Sequence, residues 1–165
     1  MSKEKYKKVI SLALVIIWML IVFAFSNQKG EESQKTSSFV TEIIVKIVTY
    51  NQNLTESEKI ILIENTDYIV RKLAHFSIYL VGGVLIYNYI NTFDLKTNKK
   101  FIISIMIGVL YAASDELHQY FVPYRNARIL DVCIDSLGII TGVILLSLIK
   151  KWGEVYYERK GCRNN

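Results

Sequence analysis

The 165-residue chain contains little cysteine, proline, glycine or charge. Its two cysteines exclude a disulfide-stapled scaffold and a four-cysteine zinc module. One proline and eight glycines exclude a collagen-like or proline-rich fibre. Charged residues make up 21% of the chain and apolar residues 52%. That composition excludes a disordered chain, because disorder requires low hydrophobicity.

Apolar residues are concentrated in four segments, at about 9–25, 73–90, 101–122 and 129–149. Each has about the 20 residues that a helix needs to cross a bilayer, and a helix satisfies its own backbone groups in lipid. The sequence therefore predicts an all-α polytopic membrane protein with four transmembrane helices, forming a single domain over residues 1–165. The first apolar run exceeds the usual core of a cleaved signal peptide, so we expect an anchor that is retained.

The basic charge follows the predicted membrane topology. Residues 1–8, 91–100 and 150–165 hold 12 of the 20 lysines and arginines but only 4 of the 15 acidic residues. The positive-inside rule then places these segments, and with them both termini, in the cytoplasm. The net charge of +5 is explained in this way without nucleic acid, and the expected partner is the lipid bilayer.

The first loop is expected to lie outside the cell. It contains two amphipathic stretches, near residues 39–48 and 56–70, whose apolar residues recur at helical spacing. Thr55 and Glu58 have the spacing of a capping box at the start of the second stretch. We expect two short helices that lie on the membrane surface or cover the bundle, with a packed lid that has no chemistry as the simpler interpretation.

Polar side chains interrupt the outer halves of three predicted spanning helices. They are Lys72 and His75 on the second, Asp115, Glu116, His118 and Gln119 on the third, and Asp131 and Asp135 on the fourth. A carboxylate facing lipid at mid-membrane costs about 2.5–3.5 kcal/mol, so these groups must lie near the surface, form pairs or face a water-filled cavity. Because the residues recur every three or four positions, each helix carries one polar stripe. The sequence predicts that the three stripes converge on an outward-facing pocket, with Arg125 and Arg128 at its mouth.

These motifs resemble the VanZ-like membrane family. The matching residues are Arg71-Lys72-x-x-His75, Asp115-Glu116-x-His118-Gln119 with Pro123 and Arg125 after it, and Asp131-x-x-x-Asp135-x-x-Gly138. The resemblance covers nearly the whole chain, and the Asp-Glu-x-His-Gln block places it in one branch of the family. It implies a multi-pass protein of the bacterial cell membrane. The founding member is associated with resistance to the glycopeptide teicoplanin, so the resemblance implies a role in the cell envelope and in antibiotic resistance.

The predicted site residues suit an anionic envelope molecule, such as a lipid-linked wall precursor or a glycopeptide. Arginine recognises phosphate through two parallel hydrogen bonds. The candidate ligand-binding residues are Lys72, Gln119, Arg125, Arg128, Asp131 and Asp135. The candidate acid–base residues are Glu116, His118, His75 and Asp115. The sequence identifies no cofactor and leaves open whether a reaction is catalysed.

Three other interpretations fit the same residues. A purely structural network of ion pairs would tie the helices together and need no ligand. A metal would find ligands in His75, His118, Asp115 and Asp131, although their spacing matches no closed zinc motif, and no metal site is predicted. A proton-coupled transporter is disfavoured, because the polar residues occupy only one half of the membrane.

Overall fold

Five helices make up the described part of the chain. The computed structural model describes residues 2–28, 30–50, 54–123 and 128–161. In chain order the helices are α1 (Lys3–Ser26), α2 (Gly30–Val48), α3 (Glu56–Ile90), α4 (Thr97–Tyr120) and α5 (Ile129–Gly161). Four of them, all except α2, are long and apolar enough to cross a membrane, and the described residues include no strand. The prediction of an all-α protein with four membrane spans is confirmed.

Helix α3 differs from its predicted form. The sequence predicted a short amphipathic helix near 56–70 and a separate spanning helix from residue 73, but the two form one 35-residue helix. No glycine or proline lies between residues 54 and 81, and charged residues at 71 and 72 do not break a helix. At 1.5 Å per residue α3 is about 52 Å long, against a hydrocarbon core of about 30 Å. Its N-terminal part therefore projects beyond a bilayer that the rest crosses.

The start of α3 has the predicted capping box. The Thr55 N–H donates to Glu58 Oε2 at 2.8 Å, and the Glu58 N–H donates to Thr55 Oγ1 at 3.4 Å. This pair satisfies two backbone donors that a helix N-terminus otherwise leaves free.

Helix α2 packs along α3 and keeps an exposed apolar face. Thr41 is fully buried, and its hydroxyl donates to Asp67 Oδ1 at 3.4 Å. Phe39, Ile43 and Ile47 are exposed on α2. An amphipathic helix of this kind suits a membrane surface. That α2 lies on the external surface remains a prediction.

An aromatic cluster joins α1, α3 and α4 in the middle of the bundle. The Trp18 ring lies 5.8 Å from Tyr79 and 5.2 Å from Tyr111, measured between ring centroids. The indole Nε1–H of Trp18 donates to the Ile78 carbonyl at 2.9 Å, and the Tyr111 hydroxyl donates to the Met19 carbonyl at 2.7 Å. These buried polar atoms are therefore satisfied within the bundle, as lipid requires.

Lysines of α1, α4 and α5 contact the last turn of α3 and the residues just after it. The Lys150 ammonium donates to Asn88 Oδ1 at 3.2 Å, and the Lys100 ammonium donates to Asn91 Oδ1 at 3.1 Å. The Lys8 ammonium lies 3.6 Å from the centroid of the Phe93 ring. This end of the bundle is the one that the positive-inside rule assigns to the cytoplasm.

Close contact between α3 and α5 depends on glycine. A Cβ atom added to Gly142 would overlap the Leu80 carbonyl, and one added to Gly83 would overlap the Ile139 carbonyl. Gly138 and Gly142 have the small-x-x-x-small spacing that lets helix backbones approach closely in a membrane. Helix α3 accordingly packs more extensively against α5 than against any other described helix.

We expect Gly142→Ala to lower the melting temperature of the detergent-purified protein, at a cost of about 1–3 kcal/mol in the free energy of unfolding, because the added methyl group overpacks a backbone contact. Gly153→Ala is the matched control on the same helix, since a Cβ there meets nothing within 4 Å. It should leave stability unchanged or raise it by up to about 1 kcal/mol. Equal melting temperatures for the two variants would contradict this account of the α3–α5 contact.

Candidate functional site

Polar residues of α3, α4 and α5 come together at one level of the bundle. The Tyr79 hydroxyl on α3 donates to Asp115 Oδ2 on α4 at 2.9 Å. The Lys72 ammonium on α3 forms an ion pair with Asp131 on α5. His75 on α3 lies opposite Asp135 on α5. Helix α3 thus contributes one side of every pair, and the residues of the three predicted stripes are neighbours in space.

Only one of the two carboxylate oxygens of Asp115 has hydrogen-bond partners. Its Oδ2 accepts hydrogen bonds from Tyr79 and from Gln119 Nε2, the latter at 3.1 Å. Its Oδ1 is buried and has no hydrogen-bond partner. The residue is 5% exposed, so bulk water does not supply the missing donor. A buried acceptor left in this state is costly unless a bound group satisfies it.

Asp135 is fully buried and faces His75. The His75 Nδ1 and Asp135 Oδ1 atoms are 3.5 Å apart, which is longer than a normal hydrogen bond. Neither of these atoms has a hydrogen-bond partner, and Asp135 Oδ2 has none either. The His75–Asp135 pair is therefore a second group of buried atoms with spare hydrogen-bonding capacity.

Glu116 is held by the backbone at the start of α5. Its Oε1 accepts the Arg128 backbone N–H at 2.6 Å, while its Oε2 is buried without a partner. The contact seen for Arg128 is thus made by the main chain and not by the guanidinium group that the sequence had suggested.

His118 points to α1 and away from the other predicted acid–base residues. Its ring stacks on Phe23 with the centroids 4.8 Å apart, and its Nε2 is buried without a hydrogen-bond partner. The i, i+3 spacing from Asp115 places both residues on one broad face of α4, but helix α1 covers the His118 edge of that face. Arg125, predicted at the mouth of the pocket, lies outside the described residues.

A cavity of about 280 Å³ lies beside this cluster, between α1, α2, α3 and α4. Two neighbouring stripes of α3 face it, each repeating every four residues. One stripe is apolar and consists of Val70, Ala74 and Ile78, and the other is polar and consists of Arg71, His75 and Tyr79. Val22 and Phe25 of α1 and Val40 of α2 extend the apolar wall, and Asp115 and Gln119 of α4 extend the polar wall.

Arg71 was not among the residues predicted for the site, although it lies in a motif of the sequence. It lines the cavity, and its Nη2 atom lies 3.3 Å from Asp67 Oδ2. Asp67 in turn accepts the hydroxyl of Thr41. A chain of polar contacts therefore connects the cavity wall to helix α2. The spacing of Arg71, four residues before His75, was the signal that would have identified it.

A family model for VanZ/LLP1 matches residues 11–150. The chain belongs to the VanZ/LLP1 family. The matched region includes every residue of the cavity and of the polar cluster described above. With its four membrane-length helices, this VanZ/LLP1 protein is a multi-pass membrane protein. No curated protein and no solved structure matches the chain.

The described part of this VanZ/LLP1 protein contains no group of three or more His, Cys, Asp or Glu residues arranged to hold a metal ion. His118 and His75, the nitrogen ligands considered for a metal, face different helices, since one stacks on Phe23 of α1 and the other faces Asp135 of α5.

The Lys72–Asp131 pair gives a test of what the polar cluster contributes to stability. Its side chains are 20% and 15% exposed. We expect Lys72→Met to destabilise the protein by about 1–3 kcal/mol, because it leaves Asp131 unpaired in a mostly buried position. The double variant Lys72→Met, Asp131→Leu should regain most of that loss, since no unpaired charge remains. Thermal unfolding in detergent measures the stability of the single and the double variant. A double variant less stable than Lys72→Met would contradict the expectation.

Proposed function

We propose that this VanZ/LLP1 protein binds an amphipathic, anionic molecule of the bacterial cell envelope in the cavity between α1, α2, α3 and α4, at the outer side of the membrane. The observation that carries the proposal is the division of the cavity into an apolar wall and a polar wall on adjacent stripes of α3. Binding sites are commonly apolar clefts with a few placed polar groups.

The apolar wall suits a hydrocarbon or other hydrophobic part of the ligand. Ala74 lies at its centre, with Val70 one turn before it and Ile78 one turn after it on α3. A cavity of about 280 Å³ accommodates a head group and a short length of chain rather than a whole lipid. The remainder of such a ligand would stay in the surrounding bilayer.

The polar wall suits an anionic group. Among the described residues that line the cavity, Arg71 is the only lysine or arginine. Its side chain is partly exposed, and its planar guanidinium group is able to form two parallel hydrogen bonds with a phosphate or carboxylate. Lys72, predicted for this role, instead pairs with Asp131.

The proposed role is binding and not catalysis. Of the four acid–base candidates, His75 and Asp115 line the cavity, whereas Glu116 and His118 do not. A lipid-linked wall precursor and a glycopeptide both belong to the proposed ligand class. Binding either one at the outer membrane surface would reduce the action of the antibiotic, which links the site to teicoplanin resistance.

Filling the cavity tests this function. We expect Ala74→Phe to abolish teicoplanin protection in a susceptible Gram-positive host, bringing the inhibitory concentration back to that of cells without the protein. Leu73→Phe is the matched control, because Leu73 is the preceding residue of α3, is 59% exposed and does not line the cavity. It should protect like the wild type at equal membrane abundance.

Two results would count against the proposal. Equal protection by Ala74→Phe and the wild type would show that the cavity is not the site of action. Absence of protection by the wild type itself would remove teicoplanin resistance from the proposal.

The orientation of the site is tested by cysteine labelling in a background without Cys133 and Cys162. Glu64→Cys, on the projecting part of α3, should react with a membrane-impermeant maleimide on intact cells. Lys96→Cys, between α3 and α4, should react only after the cells are permeabilised. Both positions are exposed in the protein, so burial does not explain a difference. The reverse labelling pattern would place the cavity on the cytoplasmic side.

A structural network is the second candidate function, and the Lys72–Asp131 and Glu116–Arg128 contacts favour it because they connect α3 and α4 with the start of α5. If the cluster only holds the helices together, Ala74→Phe should retain full protection at wild-type stability and abundance. The double variant Lys72→Met, Asp131→Leu should retain protection under either proposal once its stability is recovered, because neither residue lines the cavity.

A further inference from the structure

We propose that the inner part of the polar wall is a subsite for a primary ammonium group, formed by Asp115 with His75 beside it. This inference rests on the proposed function, and it specifies the ligand further as a zwitterionic amphiphile whose cationic end carries N–H donors. The proposal stands on the unequal numbers of acids and bases in the cluster and on the geometry of Asp115.

Acidic residues outnumber basic residues in the polar cluster beside the cavity. The described cluster contains the carboxylates Asp67, Asp115, Glu116, Asp131 and Asp135 and the basic residues Arg71, Lys72, Arg128 and His75, of which His75 faces Asp135. Two of the bases are already paired, Arg71 with Asp67 and Lys72 with Asp131. Arg128 contributes its backbone N–H. Among the described residues, Asp115 therefore has no cationic partner.

Asp115 lines the cavity and has one carboxylate oxygen without a partner. The Oδ2 atom already has two donors, Tyr79 and Gln119, which hold the carboxyl group in place. The Oδ1 atom is buried without a partner, and the residue both lines the cavity and is only 5% exposed. Because the described surroundings supply no further donor, a ligand whose N–H group reached this buried oxygen from the cavity would gain a charge-assisted hydrogen bond.

A primary ammonium group suits the site better than other cations. It carries three donors, whereas a quaternary ammonium carries none. His75 lines the same wall and, in its neutral form, has one ring nitrogen able to accept a second of these hydrogen bonds. A metal ion is disfavoured, because the described residues contain no group of three or more His, Cys, Asp or Glu arranged to hold one.

The two charged positions of the polar wall are separated along α3. Arg71 precedes Tyr79, the partner of Asp115, by eight residues, or about 12 Å of helix. A ligand whose primary ammonium group contacts Asp115 would have its anion on the part of the polar wall that leads to Arg71, and its apolar edge would meet Ala74 and Ile78.

The test uses the purified full-length protein in nanodiscs of a phospholipid with a choline head group. Binding is measured for three lysophospholipids that share one acyl chain and one phosphate and carry ethanolamine, choline or glycerol as head group. We expect the ethanolamine form to bind about tenfold more tightly than the other two, the effect of one hydrogen bond between charged groups. Water-soluble phosphoethanolamine should compete weakly, because it has no apolar part.

Two variants test whether Asp115 causes the preference for the ethanolamine head group. Asp115→Asn should bind all three lysolipids within about twofold of one another, because the carboxylate charge is lost while the amide oxygen still accepts from Tyr79. Glu116→Gln is the matched control, since Glu116 is equally buried at 5% exposed but does not line the cavity. It should keep the tenfold preference for ethanolamine.

The outcomes separate the two proposals. Equal binding of all three head groups by the wild type, with loss of all three in Ala74→Phe, would overturn the ammonium subsite and leave the cavity as a binding site. If the Ala74→Phe variant binds the lysophospholipids as tightly as the wild type does, the proposed function would be overturned. An Asp115→Asn variant that keeps the preference would also overturn the subsite. Competition by phosphoethanolamine equal to that of the lysolipid would instead contradict the part that the proposed function gives to the apolar wall. The head-group series on the wild type tests the subsite even where a variant fails to fold.

Discussion

The structure depends on one physical constraint, which is that ionisable groups within a bilayer must be paired or shielded from lipid. Helices α3, α4 and α5 each carry such groups at one level of the bundle, which satisfies them by turning them toward one another. Helix α3 supplies Lys72, His75 and Tyr79, and these meet Asp131, Asp135 and Asp115. A different rotation of α4 or α5 would expose a carboxylate to lipid, at about 2.5–3.5 kcal/mol for a residue at mid-membrane.

Tight packing deeper in the bundle makes this arrangement possible. Gly83 and Gly142 let the backbones of α3 and α5 approach until no Cβ fits between them. Trp18 fills the space between α1, α3 and α4, and its indole donates to the Ile78 carbonyl. These contacts hold α3 in the rotation that presents its polar stripe to α4 and α5, and its neighbouring apolar stripe to the cavity.

The cavity lies where the polar cluster meets the apolar interior, and its contacts extend to α2. Arg71 faces the cavity and pairs with Asp67, which also accepts the hydroxyl of the buried Thr41. Helix α2 is thus docked through a residue that itself contacts the site. A bound anion at Arg71 would compete with Asp67 and so act on the same contacts that hold α2 in place.

The sequence by itself determined the four spans, the capping box at Thr55 and the polar stripes, because transfer free energy and helical periodicity depend only on residue type and spacing. It did not determine that residues 56–90 form one helix, since a change from amphipathic to apolar pattern looks like a boundary although no residue there breaks a helix. Tertiary structure alone decided that His118 stacks on Phe23, that Glu116 is held by the Arg128 main chain and that Arg71 faces a cavity. Those contacts depend on the rotation and depth of neighbouring helices, which long-range packing sets and local sequence does not encode.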